Sequence, residues 1–286
     1  MDTTGKNSIN WYPGHMKKTR EGIVKNLKLV DLVIEILDAR APISTKNPDI
    51  DNMISNKKKI IVLTKKELTA EDTLKKFIDY YRENNDYVIS INAIDKTETS
   101  ALMKLLDTIK EENYNKNKNK GIINKNLRIM IVGIPNVGKS TLINQIIGKK
   151  SAKTGDTPGI TKSQQWLKIK GNIELLDTPG ILWPKIEDIS VANKLSFLGS
   201  IKDSIVEIEE IYYEFIQYLI KNNKQIRLFS EFDIDIDETD FEKISEKIAA
   251  KRGYKKNKEI DYYRLSNAVL NDFRSGKYGK IQLDYI

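Results

Sequence analysis

Leu127-Arg-Ile-Met-Ile-Val-Gly133-Ile-Pro-Asn-Val-Gly138-Lys139-Ser140-Thr141 is the stretch that decides the fold. Its first half is an apolar, β-branched run, which predicts a strand over 127–133; its second half matches G-x-x-x-x-G-K-[ST] and opens a helical pattern over 139–148. Strand, glycine-rich loop and helix in that order form a phosphate cradle, because glycines let consecutive N–H groups turn toward phosphate oxygens and the helix N-terminus adds its dipole. In that reading Asn136, Val137, Gly138 and Thr141 belong to the phosphate-facing loop, Lys139 brings a point charge to the terminal phosphates, and the Ser140 hydroxyl binds Mg²⁺. A chance glycine-rich turn is the alternative, and the flanking strand and helix speak against it.

Further apolar runs at 30–37, 60–64, 87–91, 165–169 and 173–176 also read as strands, with helical patterns near 46–56, 70–84 and 98–113 between them. Most of these runs lack polar alternation, as expected of a sheet covered on both faces. The alternation predicts an α/β domain with a mainly parallel sheet over 31–185. The polar, low-complexity segment 113–126 (NYNKNKNKGIINKN) reads as a surface loop joining two halves of that domain. Beyond Trp183-Pro184 strand signals stop, and helical patterns at 203–222, 239–252 and 260–274 predict a small all-helical domain over 190–286. Residues 1–30 read as a basic turn and helix packing on the first domain.

Composition narrows the chemistry. The 286 residues contain no cysteine and one histidine, His15, which excludes disulfides, thiol nucleophiles, zinc–thiolate centres and any site needing two imidazoles. No run approaches the roughly 18 apolar residues of a membrane span, and no secretory leader is evident, so a cytoplasmic location is expected. Lys+Arg exceed Asp+Glu by 48 − 40 = 8, and the signs are segregated along the chain. Residues 229–242 hold seven acids and no base, whereas 243–280 hold eleven Lys/Arg against four acids. A basic block of this kind fits a polyanionic partner such as RNA, or is simply a solvated helix face.

Asp177-Thr-Pro-Gly180 follows the strand 173–176, 37 residues after Ser140. An acid so placed holds Mg²⁺ through water, and the Gly180 N–H can meet a terminal phosphate. Between them, 155–161 (GDTPGIT) offers Thr161, with Thr157 as a rival, to close on the same ion. A base-recognition loop of the form N-K-x-D does not follow; its nearest equivalent, Thr64-Lys65-Lys66-Glu67, lies upstream, after the strand 60–64, with a second loop, Ser90-Ile-Asn92-Ala93, after the strand 87–91. The motif order is thus rotated, base loops first and phosphate loop after, which a sheet tolerates when the old termini lie close together.

That order resembles the circularly permuted P-loop GTPases of the translation-factor class. Trp11-Tyr-Pro-Gly-His-Met16, Asp38-Ala-Arg-Ala-Pro42, Gly159-Ile-Thr-Lys-Ser-Gln-Gln-Trp166 and Asp272-Phe-Arg-Ser-Gly-Lys277 narrow the resemblance to the ribosome biogenesis GTPase A family. The resemblance implies GTP and GDP as ligands of Thr64, Lys65, Glu67, Asn92 and Ala93 together with the phosphate loop and Gly180. It implies Mg²⁺ on Ser140, Thr161 and Asp177, K⁺ on Asn136, and a precursor of the large ribosomal subunit as partner. No coiled coil is evident in the sequence, and a monomer is expected. Two positions depart from the family pattern: Thr64 has no amide to steady the base loop, and Glu67 is one methylene longer than the usual aspartate. Asn136 is also a natural turn residue, so its K⁺ role and a turn role both stand.

Where many GTPases carry a water-orienting glutamine after D-x-x-G, this chain has Ile181 and Leu182, which cannot hydrogen-bond water through their side chains. The resemblance points to His15 as the catalytic residue; the residues alone equally allow a plain helix-start position. Lys17, Lys18 and Arg20 beside it, and Lys251, Arg252, Lys255 and Lys256 interleaved with Tyr254, Tyr262 and Tyr263, are expected to contact RNA phosphates and bases. Three functions remain open on sequence: an assembly GTPase slow without its ribosomal partner, an RNA-binding scaffold with little turnover, and a GTPase serving another partner.

Overall fold

The computed structural model describes residues 14–54, 57–85, 87–118, 126–148, 165–203, 206–257 and 259–286. The chain forms two compact units, one comprising residues up to Glu187 together with Gln282–Ile286, the other Asp188–Ile281.

The first unit is built on a six-stranded sheet with spatial order β3-β2-β1-β4-β6-β5. The strands are β1 (Leu32–Asp38), β2 (Lys58–Thr64), β3 (Tyr87–Ile91), β4 (Leu127–Val132), β5 (Gln165–Ile169) and β6 (Ile173–Asp177). All neighbours are parallel except β5, which pairs antiparallel with β6 at one edge. The β5–β6 connection explains the exception: the two strands are three residues apart, and only a hairpin fits so short a link. Gly171 and Asn172 turn it with φ of 79° and 59°.

On one face, α1 (Gly14–Leu27) and α2 (Pro48–Ile54) bury Ile23, Leu27, Ile50 and Ile54 against Val33, Met130, Val132 and Leu176. α3 (Glu71–Arg82) places Leu74, Phe77 and Tyr81 over Leu37, Ile61 and Leu63. The alternate strand residues, among them Ile34, Ile36, Val62, Ile129, Ile131 and Leu175, are buried too. α4 (Lys96–Lys118) and α5 (Lys139–Ile147), which pack against each other, are left to cover that second face.

The segment expected to be a loop from residue 113 is helical to Lys118. No Gly or Pro interrupts it before Gly121, and Lys116 and Lys118 in the last turn complement the helix dipole. Residues 119–125 lie outside the described residues.

The second unit contains α6 (Ile189–Phe197), α7 (Ile208–Lys221), α8 (Ile226–Glu231), α9 (Phe241–Arg252) and α10 (Tyr262–Arg274). The helix expected over 203–222 begins five residues later, and α6 and α8 are additions to the expected pattern. Asp188, Asp240 and Asp261 cap α6, α9 and α10 through their carboxylates. The unit is not wholly helical: Lys255–Lys256 (β7) and Glu259–Ile260 (β8) form a small antiparallel hairpin. Phe215 joins Phe197 and Phe273 in an aromatic core. Arg274 donates to the carbonyls of Phe197 and Ser196 and forms a paired contact to both carboxylate oxygens of Asp203 at 2.9 Å each. The unit closes at Ile281, five residues before the expected boundary.

Because Ile23 is fully buried beneath α1, this helix is part of the domain core. Ile23→Ala is expected to lower unfolding free energy by about 2–4 kcal/mol, read as a shift in the urea midpoint without a change in slope.

Candidate functional site

The parallel register sets one edge of the sheet as the meeting place of the motifs. Asp38 pairs with Thr64 and Thr64 with Ile91, so the loops after β1, β2 and β3 emerge at the same level as the loops after β4 and β6. Ligands of open α/β sheets sit at this carboxyl edge.

The phosphate loop runs from Gly133 to Ser140. Gly133 has φ of 151°, and a Cβ there would lie 2.6 Å from the Ile36 carbonyl oxygen, so only glycine lets β4 turn this close to β1. Asn136 takes the left-handed conformation, φ 62°, as its turn chemistry allows. Val137 is buried, Gly138 is the N-cap of α5, and Lys139, Ser140 and Thr141 form its first turn. Lys139 Nζ donates to the Ile134 carbonyl at 2.6 Å, folding back across its own loop. Burial lowers its pKa to about 8, with Asp177 pulling the other way.

Asp177, at the end of β6, is fully buried, and among the described residues neither carboxylate oxygen closes a well-formed hydrogen bond. Burial raises its pKa to about 6 against the opposing pull of Lys139, with Gln165 and the Thr178 N–H close by. Two buried carboxylate oxygens that no donor among the described residues meets in a well-formed hydrogen bond are suited to a cation. The residues present therefore fit the Mg²⁺ expected of this motif. Thr178 Oγ1 donates to the Ile131 carbonyl at 2.6 Å, and a Cβ on Gly180 would lie 2.7 Å from the Pro135 nitrogen. The D-x-x-G turn thus lies directly on the phosphate loop. Ile181 N–H continues the contact to the Gly133 carbonyl, and Asn47 Nδ2 holds the Ile181 carbonyl at 3.0 Å. Ile181 and Leu182 are both buried.

The base loop is tied to the phosphate loop twice. Thr64 Oγ1 lies 2.5 Å from the Val137 carbonyl oxygen and 3.1 Å from that of Leu37. Its one proton serves the nearer acceptor. The hydroxyl therefore does the steadying that the sequence reading found lacking without an amide. Lys65, in the left-handed conformation with φ of 57°, donates to the Asn136 carbonyl at 2.8 Å and pairs with Asp38 at 3.0 Å. Glu67 sits exposed in the 3-10 turn Lys66–Leu68. Lys66 pairs with Glu98 at 2.7 Å, and the other Glu98 oxygen accepts from the Asn92 N–H at 2.6 Å, so one carboxylate joins the two base loops. Ala93 beside Asn92 is buried.

Sequence reasoning missed the residues that hold these loops: Asp38, Arg40, Asn47 and Glu98. Asp38 and Arg40 stood in a quoted motif, but nothing in the spacing showed that their side chains pair in the interior. Arg40 donates to Asp38 through Nε at 3.0 Å and NH2 at 2.8 Å, with both residues 1% exposed. Burial alone would raise the Asp38 pKa; Arg40 and Lys65 overcome it and hold it far below the carboxylate range.

Other expected site residues are not brought to this edge by any described contact. His15 lies in the first turn of α1, its side chain outside the described residues, and Thr157 and Thr161 lie outside them altogether. Lys17, Lys18 and Arg20 are exposed on α1, Arg20 3.7 Å from Asp49. In the second unit Lys251 pairs with Asp233 at 2.7 Å, Arg252 with Asp272, and Lys255 with Glu246 at 3.2 Å; the Lys256 side chain lies outside the described residues. Tyr254 carries Arg264 over its ring, Tyr262 stacks on Phe241, and Tyr263 is exposed.

Asp177 gives a pH test. Its folded pKa lies above the unfolded value, so the folded protein is favoured at low pH and loses that contribution as pH rises from about 4 through 6. Asp177→Asn should raise stability at pH 7.5, without nucleotide or metal, by on the order of 1–2 kcal/mol, since part of the gain is returned when Lys139 loses its countercharge. The difference in melting temperature should close near pH 4, and Mg²⁺ should no longer strengthen GTP binding.

The profile of the family described as 50S ribosome-binding GTPase matches residues 128–252. The ribosome biogenesis GTPase A of Bacillus cereus is 40% identical over 96% of this chain and 93% of its own length. That of Priestia megaterium is 38% identical over 97% and 96%. The crystal structure of GNP-bound YlqF from T. maritima superposes with a TM-score of 0.68 at 28% identity, covering 94% of this chain and 98% of that one. The circularly permuted GTPase fold, the phosphate loop and the near-complete coverage by these relatives agree: the chain is a GTPase and belongs to the ribosome biogenesis GTPase A family.

Proposed function

We propose that this GTPase acts in late maturation of the large ribosomal subunit, binding the precursor particle and hydrolysing GTP in response to it. The observation that carries the reading is the convergence of the phosphate loop, the base loop and the buried Asp177 at one sheet edge, in a chain whose relatives bear the name ribosome biogenesis GTPase A.

In this reading residues 136–141 and the Gly180 N–H hold the phosphates, and Lys139 exchanges the Ile134 carbonyl for phosphate oxygens. Lys65 packs its stem on the guanine face while Glu67 accepts from the base N1–H and amine, beside Asn92 and Ala93. Ser140, Thr161 and, through water, Asp177 would hold Mg²⁺; Asn136 would hold K⁺. The metal, when bound, offsets charge on the phosphates. Buried Ile181 and Leu182 leave the turn after Gly180 with no side chain to orient water. Basal turnover is therefore slow, and His15 is assigned that task on the particle. Exposed Lys17 and Lys18 are the first candidates for rRNA contact. Lys251, Arg252 and Lys255 must first leave their acidic partners.

The test is GTP hydrolysis in K⁺ buffer with and without purified large subunits. Stimulation by large and not small subunits is expected, and His15→Ala should remove most of it while leaving GDP affinity intact. Equal rates with and without large subunits, with GTP bound, would instead favour a nucleotide-gated scaffold. Thr64→Val should weaken GDP binding by roughly 5–20-fold in a fluorescent-nucleotide titration, because it leaves the Val137 carbonyl without its donor.

A further inference from the structure

Gln282–Ile286 belong to the nucleotide-binding unit although the whole helical unit precedes them in the chain. Their attachment is polar and specific. Leu283 N–H donates to the Arg40 carbonyl at 2.7 Å, and Gln282 Nε2 donates to the Ala39 carbonyl at 3.1 Å. Asp284, 3% exposed, accepts from the Ser44 N–H and from the Ser44 hydroxyl, one on each carboxylate oxygen, both at 2.7 Å. Leu283 is buried, and Tyr285 braces the segment by donating to the Gln282 carbonyl at 3.0 Å.

The residues gripped in this way are those that hold the base loop. Ala39 and Arg40 are the backbone of the turn whose side chains form the Asp38–Arg40 pair, and Asp38 is shared with Lys65. A contact therefore runs from Asp284 through Ser44 and the 39–40 backbone to Asp38 and on to Lys65. The phosphate loop has fastenings outside this path: Gly133 against Ile36, Gly180 against Pro135, and Thr64 on Val137. A buried carboxylate needs its donors, so Asp284 has one seat, not a range of them.

We propose that Gln282–Ile286 form a strap that positions the base-recognition loop, with Asp284 as a positioning residue acting on Lys65 through Ser44, Arg40 and Asp38. This rests on the reading of Thr64–Glu67 as the guanine-binding loop. Docked, the strap fixes Asp38 and so the direction of Lys65; released, Lys65 keeps its place in the sequence but loses the fixed countercharge that aims it. Lys65 also holds the Asn136 carbonyl, but the phosphate loop keeps its other fastenings, so the effect falls chiefly on recognition of the base.

The test compares GDP and ADP affinity in the full-length protein, with the GTP KM and kcat measured alongside. Asp284→Ala should weaken GDP binding about tenfold with ADP binding unchanged, and should raise KM with kcat held. Asp284→Asn, which keeps an acceptor for the Ser44 N–H and a donor for its hydroxyl, should stay within about threefold of the parent. If Asp284→Ala does not fold, Ser44→Ala carries the same test with a drop of about threefold. Lys65→Ala and Glu67→Ala serve as controls. If they lower the GDP-to-ADP preference and the strap variants do not, or if the strap variants lose both nucleotides equally, the strap proposal is overturned and the base loop stands. If the controls leave the preference unchanged, the base-loop reading fails and takes the strap with it.

Discussion

The carboxylate of Asp38 sits at the end of the central strand β1, fully out of water, and must be satisfied there. Arg40 reaches back to it from the next turn, and Lys65 reaches across from the end of β2. Lys65, with its backbone left-handed, reaches both Asp38 and the Asn136 carbonyl. Buried ion pairs add little net stability, because desolvation opposes the Coulomb gain. What this one supplies is geometry: Asp38, Arg40 and Lys65 satisfy one another where the loop after β2 meets the phosphate loop.

The structure holds a second electrostatic arrangement of the opposite kind. Asp177 and Lys139 act on each other's charge, yet Lys139 spends its hydrogen bond on the Ile134 carbonyl and Asp177 is left without a well-formed one. The raised carboxyl and lowered ammonium pKa values record the same poor solvation. The Asp38 cluster is satisfied within the chain, whereas in the proposed function this pair takes its partners from nucleotide and metal. The two lie on the same sheet edge because parallel register brings the strand ends level.

Much of this was legible in the sequence, for definable reasons. The phosphate loop is a local motif, and the central strands are continuous apolar runs, so both announce themselves without knowledge of tertiary contacts. The rotated order of base loop and phosphate loop was visible because both follow strands. What escaped reading was non-local. Arg40 looks like a surface residue until its partner is known, and Glu98 reads as an ordinary first-turn acid of α4 although it joins two loops. Thr64 read as a defect because its acceptor, Val137, lies 73 residues away. The acidic block 229–242 and the basic block after it looked like opposite faces; in the fold Lys251, Arg252 and Lys277 turn back onto Asp233 and Glu231, so part of that segregation is cancelled within the unit. The short α6 and α8 and the two-residue strands fall below the length at which periodicity speaks.

The seat of Asp284 on Ser44 spans 240 residues of sequence. During translation, residues 282–286 are made only after every residue of the helical unit, so the nucleotide-binding domain cannot be finished domain by domain from the N-terminal side. Until they emerge, Ser44 and the Arg40 carbonyl await their partners. The closure is late because of where these residues stand in the chain, not because of the length of the loop, whose entropy cost grows only slowly with length. The nascent chain thus carries a nearly complete nucleotide site whose last fastening depends on synthesis of the domain inserted before it.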